Sequence, residues 1–91
     1  MTAPPSELAA LERLVDPRRY GWSEQAAQAV VNLSFSDQDQ ERVSELADRA
    51  NQGILTDAEE SEMEGYLRLS TVMAVMQSKA RLYLRELKQA A

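Results

Sequence analysis

Apolar residues recur three and four positions apart along most of this chain, the period of a helix that buries one side. Leu8, Leu11, Leu14 and Val15 share a side of a first short helix predicted over residues 7–15, with Ser6 as its N-cap. Asp16-Pro17 ends it, because the residue before a proline avoids helical backbone. After the connector "RRYGW", Ser23 caps a second helix over residues 24–33, whose Ala26, Ala27, Val30, Val31 and Leu33 form an apolar patch. Ser36 caps a third helix that runs to about Gln52, with Asp37 and Asp39 at the positive end of its dipole. Val43, Leu46, Ala47 and Ala50 give it a narrow buried stripe. Gly53 follows where a left-handed C-terminal residue belongs, and Ile54 is placed to fold back as the accompanying apolar contact.

Thr56 and Glu59 form a capping box for the last helix, predicted over residues 57–89 without a proline and with Gly65 as its sole glycine. Such a helix is about 50 Å long, twice the third one, so the two pair only over its first half. Tyr66, Leu69, Met73, Met76, Ala80, Tyr83 and Leu87 are spaced alternately by three and four, a heptad row over three repeats. Val72, Val75, Leu82 and Leu84 lie on other faces, so one neighbour does not cover this helix. Either the N-terminal helices fold over it or another chain does. The architecture predicted is all-α and one domain over residues 1–91: two short helices in residues 1–35, then a long helical hairpin in residues 36–91.

Composition narrows the chemistry. The chain has no Cys and no His, which removes disulfides, thiolate nucleophiles, the usual neutral-pH general base and the commonest metal ligands. Read as a calcium loop from Asp57, the sixth residue is Glu62 rather than glycine and the twelfth is Arg68 rather than glutamate, so the pattern fails. No enzyme activity, cofactor or metal is expected. The start of the sequence has no basic segment followed by an apolar run, and no stretch has the length of an apolar span, so a protein of the bacterial cytoplasm away from membranes is expected.

Charge is unevenly spread. Residues 1–35 carry three Arg and four acids, residues 36–64 two Arg and ten acids, and residues 65–91 five bases and one acid, for net charges of −1, −8 and +4. Asp57, Glu59, Glu60 and Glu62 mark an acidic tip that would steer a basic partner, although acids in a first helical turn are also favoured by the dipole alone. Lys79, Arg81, Arg85 and Lys88 make the far end basic, which the same dipole favours, and an overall charge of −5 is poor for nucleic-acid binding. Tyr66, Leu69, Met73, Met76 and Tyr83 are the candidate apolar interface residues. Arg18, Arg19 and Trp22 are candidate interface anchors, since Arg and Trp are enriched at hot spots, with Trp22 as a core plug the alternative.

Arg42, Glu45, Leu46, Ala50, Gly53, Leu55, Thr56, Glu59, Glu62 and Tyr66, followed by Met76 and "QSKAR" (Gln77 to Arg81), carry a resemblance. Over about its last two-thirds the chain resembles a widespread group of small, largely uncharacterised bacterial helical-hairpin proteins with a G-x-L-T-x-x-E … Q-S-K-A-R pattern. Where that group often has Lys before the Ala, this chain has Arg49. The resemblance implies a hairpin without chemistry of its own and an antitoxin-like or accessory partnership with HNH-type nuclease proteins. The function expected is therefore a non-enzymatic protein-interaction module with a basic protein partner such as a nuclease. The alternatives are a self-associating, coiled-coil-like homodimer with a structural role and a weak nucleic-acid binder.

Overall fold

The computed structural model describes residues 5–90. They form an all-α structure of four helices: α1 (Pro5–Leu14), α2 (Glu24–Val31), α3 (Asp37–Gln52) and α4 (Asp57–Ala90). Pro5 opens α1, where a fixed φ and a missing N–H cost nothing, so Ser6 lies inside the helix rather than capping it. The other caps form as the sequence predicts. Ser23 Oγ accepts from the Ala26 N–H at 3.0 Å, and Ser36 Oγ accepts from the Asp39 N–H at 3.2 Å. Gly53 has φ +71°, which lets the Ile54 N–H reach back to the Arg49 carbonyl at 3.0 Å. The Ile54 side chain does not fold back as expected; it is exposed, and Leu55 is the half-buried member of this turn.

α4 is the spine. Its 34 residues span about 51 Å, and the molecule measures 53 × 30 × 17 Å. Three antiparallel contacts show how α3 lies on its first half: Asp39 meets Tyr66, Arg42 meets Glu62, and Arg49 meets Glu59. α2 continues along the second half, also antiparallel, with Trp22 beside Tyr83 and Val31 beside Gln77. Between those two contacts Ala27 lies opposite Ala80; both are 0 % exposed, and two methyl side chains let the helix axes come close. α1 lies against the second half on another side. Shallow grooves place its Glu12 beside Ala74 and Lys79, and Pro17 and Arg18 beside Tyr83 and Glu86, so it runs parallel to α4.

The junction between α2 and α3 depends on one side chain. Asn32 ends α2 without a left-handed turn (φ −89°); its N–H reaches the Gln28 and Ala29 carbonyls and the Leu33 N–H reaches the Val30 carbonyl at 3.1 Å, which leaves the Val31 carbonyl without a backbone donor among the described residues. Gln77 of α4 supplies one. Its Nε2 donates to the carbonyls of Leu33, Val31 and Val30 at 2.8, 3.1 and 3.3 Å, sharing two protons among three acceptors. α2 therefore stops at Val31, two residues short of the prediction, and Leu33 is exposed in the connector. Leu14 is also exposed rather than on the buried side of α1, where Val15 and Pro17 fill that position.

Two variants test this core. Leu46 is the sole large side chain among the described residues that is fully buried, so Leu46→Ala should cost about 2 kcal/mol or more in urea unfolding, whereas Leu69→Ala, at an exposed site, should change stability by less than about 0.5 kcal/mol. Gln77→Leu should cost roughly 1–3 kcal/mol by the same measurement, because the Val31 and Leu33 carbonyls lose their donor. Equal effects at Leu46 and Leu69, or a neutral Gln77→Leu, would contradict this packing.

Candidate interaction site

The loop between α3 and α4 is closed by charge pairs. Arg42 holds Glu62 in a two-pronged grip, Nε to Oε2 and Nη2 to Oε1, both at 2.8 Å, and its Nη1 reaches Glu45 at 3.0 Å. Arg49 pairs with Glu59. The same Glu59 completes the capping box: its Oε1 accepts from the Thr56 N–H and its own N–H donates to Thr56 Oγ1, each at 3.1 Å. One turn further along, the Tyr66 hydroxyl donates to Asp39 Oδ1 at 2.8 Å, and its ring meets Phe35 edge-on with centroids 5.7 Å apart. The Arg42 hydrogen bond holds the Glu62 carboxyl below the usual carboxylate range, while the bond to Asp39 pushes the Tyr66 hydroxyl up.

These pairings redraw the acidic tip. Of Asp57, Glu59, Glu60 and Glu62, Glu59 and Glu62 spend their charge on α3, and Asp57 and Glu60 remain exposed. The larger acidic surface is the outer side of α3, where Asp37, Glu41, Glu45 and Asp48 follow at helical spacing and are all exposed. Their four- and three-residue steps are the signal by which the sequence marks this face.

The heptad row is divided. Tyr66, Met73, Met76 and Tyr83 are half-buried and Ala80 is fully buried, all by elements of this chain, while Leu69 is 56 % exposed and Leu87 is also exposed. A row of period 3.5 drifts by about 20° per heptad around a straight helix. Leu69 lies on the side that α1 covers further along, before the stretch that α1 reaches. Phe35 and Asp39 meet Tyr66, and Trp22, just before α2, meets Tyr83, so this chain itself covers both ends of the half-buried stretch of the row.

In "RRYGW", Arg18 pairs with Glu86 of α4, and Arg19 lies over the exposed Tyr20 ring, 5.4 Å from its centroid. Gly21 (φ +64°) makes the turn, and the carbonyl of half-buried Trp22 accepts from the Tyr83 hydroxyl at 2.8 Å. This segment thus fastens the second end of α4. Arg81, Arg85 and Lys88, beyond it, are exposed.

Among the described residues no group of three His, Cys, Asp or Glu side chains is placed to hold a metal ion, and no helix is long and apolar enough to cross a membrane. The molecule is thin. Its radius of gyration is 16.3 Å, against about 12 Å for a compact chain of this length. Its accessible surface is 6620 Å², against about 5300 Å² for a compact monomer of its mass. Comparison with protein-family models, curated proteins and solved structures finds no match to this chain.

Glu62 gives the clasp a pH signature. A carboxyl whose native pKa is lowered adds stability above its unfolded pKa, and that stability is lost as pH falls through the lowered value. The melting-temperature advantage of wild type over Glu62→Gln should be full at about pH 7 and shrink towards about pH 2. An advantage that does not change with pH would show that the Arg42 grip contributes nothing through its charge.

Proposed function

We propose that this chain is a non-enzymatic protein-interaction module that engages a basic protein partner, antitoxin-like or accessory in role, with an HNH-type nuclease protein as the leading class. The observation that carries this reading is the surplus surface. An accessible area of 6620 Å² leaves about 1300 Å² more than a compact monomer needs, ample for one side of a specific interface of about 800 Å². Its electrostatics favour a basic partner. Residues 36–64 carry a net −8, and Asp37, Glu41 and Asp48 on the outer side of α3, which have no ion-pair partner among the described residues, are free to steer an oppositely charged cleft. Leu69 and Val72, both exposed, offer apolar anchors near the middle of α4. The Q-S-K-A-R resemblance supports the same class of partner. Within this sequence that motif is read mechanically: Gln77 caps α2, and Ala80 admits it to close range.

The test is binding between the full chain and a purified HNH-type nuclease protein from the same cell, across a salt series. Wild type should bind with an affinity that falls as salt rises, and the triple variant Asp37→Lys, Glu41→Lys, Asp48→Lys should bind at least about tenfold more weakly. Equal binding by both, or none by wild type at low salt, would remove this reading. Nuclease activity in the same samples separates restraint from support.

A further inference from the structure

We propose that the outward face of α4 pairs, antiparallel, with the same face of a second copy of this chain. A row from Asp57 to Lys88 steps alternately by three and four residues without a break, the spacing of a helix–helix seam. It differs from the Tyr66–Leu87 row, which the chain largely covers itself. Its first three members are Asp57, Glu60 and Glu64, and its last three are Arg81, Arg85 and Lys88. The four between are Leu67, Thr71, Ala74 and Ser78. Glu64 and Thr71 are half-buried; every other member is exposed.

The charges choose the occupant and its direction. Asp57 and Lys88, Glu60 and Arg85, and Glu64 and Arg81 lie symmetrically about the point midway between Val72 and Met73. A second copy laid antiparallel about that point sets every acid against a base, and two-fold symmetry forms each pair twice. A parallel copy sets like against like. Among the described residues none of these six side chains has an ion-pair partner, whereas Arg18, Arg42, Arg49, Glu59, Glu62 and Glu86, on the inward sides, are all paired. The centre of the row is built for close approach. Ala74 and Ser78 are small and exposed, at the edge of the groove that Glu12 of α1 lines, and the Thr71 hydroxyl is already satisfied by the Leu67 carbonyl at 3.1 Å. Leu67, 46 % exposed, supplies apolar area that pairing removes from water. α3 lies on the other side of α4, so its acidic surface stays open, and this inference does not rest on the function proposed above. A contact made largely of exposed ion pairs is weak and salt-sensitive.

Sedimentation equilibrium of the full chain over a concentration series tests it. Wild type should approach twice the monomer mass at low salt and return to monomer at high salt. Two charge-reversed variants, Glu60→Lys with Glu64→Lys and Arg81→Glu with Arg85→Glu, should each self-associate more than about tenfold more weakly, because like charges then face each other. Mixed, they should pair with one another, since every facing charge is again opposite; circular dichroism checks that each remains helical. A wild type that stays monomeric at low salt, variants that associate as wild type does, or variants that fail to rescue each other would overturn the proposal.

Discussion

α4 is 34 residues long, and no other helix among the described residues has more than 16, so the spine is longer than any helix laid against it. An isolated helix gains little of its stability from propensity and needs a packed face. The chain meets this constraint by laying α3 and α2 end to end along one side of α4 and adding α1 beside the second half. The result is a rod with cladding, extended to 53 Å, rather than a bundle with a deep core. Among the described residues Val15, Pro17, Ala27, Leu46 and Ala80 are its buried apolar residues, and Leu46 is the only large one with no exposure.

Such a thin core places weight on polar fasteners, and these sit at both ends and the middle of the rod. Arg42 and Arg49 bind α3 to the start of α4, Gln77 holds the α2–α3 junction at the centre, and the Tyr83 bond to the Trp22 carbonyl with the Arg18–Glu86 pair holds the far end. The arginine pairs are partly exposed, and exposed ion pairs fix register more than they add stability. Gln77 differs in kind. Without it the Val31 carbonyl at the end of α2 would have no donor, which costs more than a surface pair gives.

The parts of this fold written in short-range chemistry were legible in the sequence. Ser23, Ser36, Gly53 and the Thr56–Glu59 box each act within a few residues, and each marks a helix end in the structure. The long-range fasteners were not legible. Gln77 reaches carbonyls 44–47 residues away and Tyr83 one 61 away, and nothing local distinguishes either from an ordinary surface or core residue. The Tyr66–Leu87 row was visible as a pattern, but which chain covers it depends on where α1 and α2 lie. The acidic tip was visible as composition, yet Glu59 and Glu62 proved to be fasteners because α3 brings two arginines opposite them.

The ion pairs Arg42–Glu62, Arg49–Glu59 and Arg18–Glu86 join α4 to the rest of the chain, while Asp57, Glu60, Arg81, Arg85 and Lys88 on its open side are left for other molecules. The central claim is that α4 is covered on one side and open on the other. Because the chain has no Cys, single thiols can report on it directly. Ser78→Cys lies on the outward face and Ala80→Cys on the buried one, two residues apart. The measurement is their thiol-labelling rates in dilute native protein. The account predicts a fast rate at Ser78, close to that of unfolded chain, and strong protection at Ala80. Equal rates at the two positions, or protection at Ser78 alone, would contradict it.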